Sequence, residues 1–295
     1  MTAPATLFQR AVKVTTFREN VPSQPTKFQV TRAPNTTEIT DLRVQFRVDR
    51  ALTKNPNKCD VTITNLAAST RVDLETKPLL VILNAGYGDD LKLLFEGDLR
   101  FGMTKQVGPN WETLLQLGDA DCMHRWARVN RSYAPGTPVR TVVRDAFASM
   151  GFQIPTNLER DPLLNQVLTN GRTSHGPSRD ELTRLLAPLG YHYSIQNGVP
   201  RVLRDDEISS ISAVPIDEEH GMIGSPEFGS PPRSGKPPHV TVRMLLYPEL
   251  TPGDLVQLTS RVRTGRFRLE RVRHVGDTHG LGDNSWTTEV EIKPL

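Results

Sequence analysis

Apolar and polar side chains alternate with a period of two through most of the chain. Leu42, Val44, Phe46 and Val48 alternate with Asp41, Arg43, Gln45 and Arg47. Cys59, Val61 and Ile63 alternate in the same way with Asp60, Thr62 and Thr64. Each pattern predicts a strand with one buried face. The turn Asn55-Pro56-Asn57 between them predicts that the two strands pair as antiparallel neighbours. Leu79 to Ala85 is nearly all apolar and short, which predicts a strand covered on both sides. A turn at Gly88-Asp89-Asp90 leads into Leu93-Leu94-Phe95, and Gly97-Asp98 is expected to end that strand. A short helical turn near Thr70 to Leu74 links the second and third strands. Gly108-Pro109-Asn110 predicts a further turn, followed by a strand over Trp111 to Gly118 that Asp119-Ala120-Asp121 ends. His124 to Tyr133 reads as a strand or loop leaving this first body. Upstream, Met1 to Lys13 is expected to form an arm. Phe28 and Val30, among Pro22, Pro25 and Pro34, read as an edge strand.

The period changes after Tyr133. Thr137 is placed to cap a helix whose first residue is Pro138. Val139, Val142, Val143, Ala146, Phe147 and Met150 recur at helical spacing, with Gly151 as the stop. Ser178 and Glu181 have the spacing of a capping box, ahead of Leu182, Leu185, Leu186 and Leu189. Tyr191 to Gln196, Asn197-Gly198 and Val199 to Leu203 spell a hairpin with a tight turn. Arg204 to Pro238 is rich in Pro, Gly and Ser and reads as a long external loop that orders against a neighbour. Alternation then returns at Val240, Val242, Met244 and Leu246, after Pro252-Gly253-Asp254, and from Trp286 to Ile292. Phe267 and Leu269 share a face that Val272 and Val275 leave, so a bulge is expected near Glu270.

Composition adds little to this picture. The 295 residues are 37% hydrophobic and 23% charged, with 23 Pro and 21 Gly, which suits many turns and short strands. The formal charge of +3 is too small to argue for nucleic acid by itself. Cys59 and Cys122 match no zinc or redox spacing and read as reduced core or near-core residues. The N-terminus lacks the apolar core of a signal peptide, and no window approaches the roughly 18 apolar residues of a membrane span. Synthesis in a bacterial-type cytoplasm is the expectation.

Candidate chemistry is sparse. His274, Asp277 and His279 lie close enough in sequence to suggest a metal site, but they fall in a turn between strands. Asp119, Asp121 and His124 could form an acid/base or metal group, but a strand-end turn is the favoured reading. Asp205-Asp206-Glu207 reads as a solvated charge run. Gly221 and Gly224 fall short of a dinucleotide fingerprint, no Ser sits in a G-x-S-x-G context, and no two carboxylates are marked as a glycosidase pair. The sequence therefore assigns no catalytic, cofactor-binding or metal-binding residue, and no cofactor. The densest basic feature is Arg261, Arg263, Arg266, Arg268, Arg271 and Arg273. It reads as a solvated sheet face or as a partner contact made by guanidinium forks, with nucleic acid third because interleaved aromatics are missing.

Three stretches carry a family resemblance. "NLAASTR", "LNAGYGDD" and "LLFEGDL" resemble the N-terminal part of the baseplate hub proteins of contractile-tailed bacteriophages, relatives of the hub segment of type VI secretion spike proteins. "PVRTVVRDAFASMGF" and "SRDELTRLLAPLGYHYSIQNGVPRVL" are similar to the family's helix–helix–hairpin insert. "LTPGDLVQLTSRVRTGRFRLERVRHVGDTHGLGDNSWTTEVEIKPL" is similar to its closing strands. The resemblance implies a β-rich α+β fold with two tail-tube-like antiparallel β-barrel domains and a small α/β insert between them. On this sequence the division falls at 1–134, 135–204 and 205–295. It implies a non-enzymatic homotrimer whose ring adapts a hexameric tail tube to a central spike, here expected as a separate gene product. Implied partners are the spike, the tube or distal-tube protein, and also tape-measure and wedge proteins. DNA is expected only in transit, no membrane anchor is expected, and the location is the virion baseplate after assembly in the host cytoplasm. The rival readings are a tail-tip cell-wall hydrolase and a tail-tube or distal-tail ring protein of the same lineage.

Overall fold

In the computed structural model, residues 9–18, 36–75, 79–204, 207–209, 212–229, 238–282 and 285–295 are described. The expected edge strand at Phe28 and Val30 lies outside them.

The first body is built from β1 (Arg10–Arg18), β2 (Thr36–Ile39), β3 (Val44–Ala51), β4 (Lys58–Thr64), β5 (Leu79–Tyr87), β6 (Asp90–Val107) and β7 (Asn110–Gly118). As the alternation predicts, β3 and β4 pair antiparallel, with Phe46 opposite Val61 and Val44 opposite Ile63. Four expectations change. Arg10 to Lys13 are part of β1, paired along β5, and not of an arm. β5 buries one face, Val81, Leu83 and Ala85, while Ile82 and Asn84 stay partly exposed on the other. Leu42 precedes its strand. β6 does not end at Gly97-Asp98. A bulge between Leu99 and Phe101 keeps it paired with β7 as far as Val107, where Gly108 makes the hairpin turn. The linking helix is α1 (Ala68–Glu75), laid so close to β6 that a Cβ on Gly102 would meet the Leu74 carbonyl oxygen at 2.9 Å.

The second body comprises β12 (Val214–Ile216), β13 (Met222–Phe228), β14 (Val240–Leu245), β15 (Leu255–Thr259), β16 (Thr264–Asp277) and β17 (Trp286–Pro294). β12 and β13 correct the reading of Arg204 to Pro238 as one long loop. β13 is an edge strand with an irregular register, where Pro and Gly are tolerated.

The two bodies share β16. Its first half pairs with β15 and its second half with β3, both on the edge opposite β17. The change of partner falls at the bulge between Leu269 and Arg271, at Glu270 as the sequence requires. One antiparallel path therefore runs β13-β14-β17-β16-β3-β4-β7-β6-β5-β1-β2 within a thirteen-stranded sheet, with β15 and the parallel β12 alongside. Among the described residues the path does not close into a barrel. Each half has its own apolar core, one around Val48, Val61, Leu83 and Leu115 and the other around Val242, Val256, Leu269 and Val290.

Side chains bridge the gap where the first half would close. Arg10 on β1 donates to the Asp277 carbonyl oxygen (3.1 Å), the Gly280 carbonyl oxygen and Ser285 Oγ (2.7 Å) in the β16–β17 loop. Its guanidinium also lies 5.8 Å from the Trp286 ring centroid. Trp286 makes edge contacts with Phe46 (5.4 Å) and Tyr87 (6.4 Å). Gly276 lies opposite both Phe46 and Trp286 in the ladder. A Cβ there would come within 2.1 Å of the Phe46 ring, so only a bare backbone fits.

The insert contains β8 (Arg128–Tyr133), α3 (Val139–Ser149), α4 (Thr156–Glu159), β9 (Arg172–Pro177), α5 (Ser178–Leu186), β10 (Tyr191–Gln196) and β11 (Val199–Arg204). A short helix, α2 (Asp121–Trp126), precedes it and breaks the expected strand or loop from His124. α3 and the β10–β11 hairpin follow the sequence reading. The caps do not. Pro138 is the N-cap of α3, and Thr137 Oγ1 donates to the Ala134 carbonyl oxygen instead. Pro177 caps α5, and Glu181 turns inward to accept from Arg172 Nε (2.7 Å) and Ser174 Oγ (2.6 Å), so no capping box forms. α4 and the β8–β9 pair had no clear sequence signal.

Candidate functional site

Two features join the parts of this chain: a row of charges across the sheet and a polar socket under the insert. The row accounts for the arginine run. Lys58 on β4 lies opposite Asp49 on β3, Asp49 opposite Arg273 on β16, Arg273 opposite Glu289 on β17, and Glu289 opposite Arg243 on β14. Signs alternate across five adjacent strands on the outer face. Arg273 Nε is 2.7 Å from Asp49 Oδ1, its Nη1 is 3.2 Å from Glu289 Oε1, and Arg47 Nε is 2.9 Å from Asp49 Oδ2. Burial raises the Asp49 pKa, but Arg273 and Arg47 outweigh it and hold the carboxyl below its usual range. Of the other arginines, Arg268 is buried, with Nε 2.8 Å from Glu270 Oε1 and Nη1 2.7 Å from the Arg204 carbonyl oxygen. Arg271 lies 3.6 Å from Glu291. Arg263 faces the rings of Phe228 (5.9 Å) and Phe267 (5.8 Å), and Arg261 lies 3.6 Å from Glu218 with most of its side chain in water. Arg266 is exposed. Most of this run is thus matched within the chain.

The socket lies behind the row, where the β10–β11 turn meets the sheet. Asn197 (φ 50°) and Gly198 (φ 74°) are both left-handed, as a two-residue hairpin turn of this kind requires. Asp119, fully buried after β7, accepts from the Asn197 amide (2.7 Å), the Gly198 amide (2.8 Å) and Asn57 Nδ2 (3.1 Å). Asn57 also donates to the Ile195 carbonyl oxygen and to Gln196 Oε1, both at 2.8 Å. Asn197 Oδ1 accepts from Arg50 Nη2 (2.8 Å) and from the Glu96 amide (3.2 Å). Gln196 Nε2 donates to the Ala51 carbonyl oxygen at 3.1 Å. Arg50 is 1% exposed and also donates to the Leu94 carbonyl oxygen. Burial lowers its pKa to about 10, against the pull of Asp119. Burial raises the Asp119 pKa, opposed by the amides it accepts from.

The three candidate groups named from sequence do not assemble. His274 is fully buried on the inner face, paired through Nδ1 with Thr288 Oγ1 (2.9 Å), and Nε2 has no partner. Burial, with Arg50 nearby, drives its pKa well down. Asp277 points to the opposite face, as a separation of three residues in a strand dictates. There Arg43 and Gln45 bind it, and its carboxyl is held at about 2 although burial works the other way. His279 Nδ1 meets Thr278 Oγ1. Asp119 belongs to the socket. Asp121 pairs with Arg100 and Arg125, and His124 Nε2 meets the Lys54 carbonyl oxygen at 2.8 Å. Among the described residues no group of three or more His, Cys, Asp or Glu is placed to hold a metal ion. Glu207 accepts from the Arg204 amide (3.2 Å), while Asp205 and Asp206 lie outside the described residues. Gly221 and Gly224 are turn-like positions flanking the start of β13. Neither cysteine forms a disulfide; Cys59 is buried and Cys122 partly so. Arg50 had no sequence signal. Asn57 and the Asn197-Gly198 pair did, as turn residues, but nothing in them announced that the two turns bind each other.

No known sequence family and no curated protein matches the chain. Solved structures do. A tail protein from Neisseria meningitidis superposes with a TM-score of 0.63 at 12% identity, covering 96% of each chain. The 43 kDa tail protein of prophage MuSo2 from Shewanella oneidensis gives 0.61 at 8% identity, covering 88% of this chain and 94% of that one. A chain of a Francisella PdpA–VgrG complex gives 0.62 at 9% identity, covering 98% of this chain and 53% of that one. The fold is that of phage tail proteins. It is shared with the VgrG complex, and the resemblance to baseplate hub proteins carried by the sequence is matched at the level of fold.

Proposed function

We propose that this chain is a structural component of a phage tail, a hub that joins the tail tube to a central spike. The observation that carries this reading is the agreement of fold with the Neisseria tail protein over nearly the full length of both chains. The two halves of the sheet, each with its own core and joined through β16, are the counterparts of two tube-like β-barrel units, with the insert between them. The boundary expected at 134/135 moves back to 127/128, because β8 pairs with β9 of the insert, and the second unit keeps 205–295. Two such units per copy make three copies a pseudo-sixfold ring, the arrangement that suits a sixfold tube on one side and a threefold spike on the other. The likeness to a chain of a VgrG complex supports a spike as partner. Tube, tape-measure and wedge proteins complete the set, and the virion baseplate is the location. The role is scaffolding without catalysis.

Mass photometry of the purified protein, alone and with its spike, tests this reading. Three copies in the complex are expected, and free protein that is monomeric is compatible because ring closure can await the spike. A stable dimer in the assembled tip overturns the hub. Many copies along the tail would assign the chain to the tube.

A further inference from the structure

The insert meets the sheet through hydrogen bonds, not through a shared apolar core. Its cluster around Val142, Phe147, Leu182 and Tyr193 takes in two small side chains, Ala120 and Ala127, from the chain before β8. It does not merge with either sheet core. On the sheet side the buried groups are Arg50, Asn57, Asp119 and Arg268, all polar or charged, the last donating from Nη1 to the Arg204 carbonyl oxygen at the end of β11 (2.7 Å). Further contacts at the margin are also polar: Arg179 Nη1 to the His124 carbonyl oxygen (3.0 Å) and Arg201 Nη1 to Asp254 (3.2 Å). The exception is Leu203, which covers Gly253 closely enough to exclude a Cβ there.

Such a dock behaves differently from an apolar one. Separating two oily faces returns apolar area to water and costs about 25 cal/mol per Å². Separating amides and ions exchanges protein hydrogen bonds for bonds to water, at a net cost of only about 0.5–1.5 kcal/mol per neutral bond. Arg50 and Asp119 are buried together while the turn is in place. On its departure both charges would be rehydrated. The chain enters the insert at Arg128, the first residue of β8, and the insert ends at Arg204, the last residue of β11.

We propose that the insert is a hinged body, latched by seating the Asn197-Gly198 turn in the Arg50–Asn57–Asp119 socket, and that it unlatches as a unit while sheet and insert both stay folded. Within the hub reading, unlatching lets the insert reach a neighbouring component of the tail tip. The latch itself does not depend on that reading, and its test uses the free protein.

Hydrogen-exchange mass spectrometry of the full chain under native conditions provides the test. In the wild type, peptides covering Gln196 to Val199 should exchange faster than those covering β4. Asp119→Asn removes the anion that holds both turn amides, and Gly198→Ala strains the turn without entering either core. In each variant the turn should exchange about tenfold faster or more, while α3, α5 and β4 keep wild-type rates. Loss of protection in α3 and α5 together with the turn would show that the insert folds only when docked, and the proposal fails. It fails equally if the wild-type turn opens no faster than β4, or if neither variant alters turn exchange. Should Asp119→Asn not fold, Gly198→Ala and the wild-type rates still decide.

Discussion

The seam between the two halves of the sheet and the dock between sheet and insert are opposite solutions to joining two bodies. At the seam, β16 continues a backbone ladder from one core to the other, with a Phe46–Trp286 contact beneath it and alternating charges above. At the dock, a two-residue turn sits in a polar cup. A ladder with apolar packing on one side is stable because breaking it exposes both backbone and core. A polar cup fixes position, since each donor and acceptor has one geometry that satisfies it. The seam supplies strength and the dock supplies register.

The contrast can be broken at four points, in order of falling effect. Val61→Asp puts an unpaired carboxylate into the fully buried face of β4 and should cost about 5 kcal/mol or more. Thr62→Asp, on the outer face of the same strand, should leave the thermal melt nearly unchanged; equal losses would mean that the register is wrong. Trp286→Ala empties the space between Phe46 and Tyr87 and should cost about 3–5 kcal/mol by denaturant titration. Loss confined to the insert would show that Trp286 does not brace the sheet.

Third comes the pH dependence of the seam. The imidazole of His274 has its pKa lowered in the folded state, so below about 6.5 the unfolded chain binds a proton that the native one resists. Stability is full above that pH and should fall as the pH drops, by at most about 1.4 kcal/mol per unit from this group. Urea titrations between pH 7.5 and 5 should show this slope reduced in His274→Gln; an unchanged slope would assign it elsewhere. Last, Arg273→Gln interrupts the charge row and should cost about 1 kcal/mol or less, with the difference shrinking in 1 M salt. A loss that persists at high salt would mean that Arg273 acts through packing.

Strands were legible wherever one face is buried and the other wet, as in β3, β4, β14 and β17. The bulge in β16 was legible too, because Val272 lies an odd number of residues from Phe267 and Leu269 and only an extra residue brings it to their face, while Val275, three residues further on, falls on the opposite one. β12 and β13 were not. They are short or at an edge, and an edge strand places little demand on its side chains, so Pro226 and Gly224 hid it. The caps misled because Thr137 donates to a carbonyl three residues upstream, at Ala134, and Glu181 is taken by Arg172 and Ser174 on the neighbouring β9. The pairing of β16 with β3 was invisible, since alternation says that a strand exists but not which distant strand it meets. The burial of Arg50 and Asp119 was hidden for the converse reason. Periodicity counts apolar residues as buried, and these are charged groups whose burial depends on partners far along the chain.

The shared β16 also fixes how load travels through the molecule. Seven consecutive paired positions, Arg271–Ala51 to Asp277–Gln45, run along β16 and β3, and a pull along those strands loads them together in shear. Force arriving at one half of the sheet is therefore passed to the other as through a single leaf spring, with little play at the join. The insert, docked through its Asn197-Gly198 turn and a few contacts at the margin, stays off that line of tension.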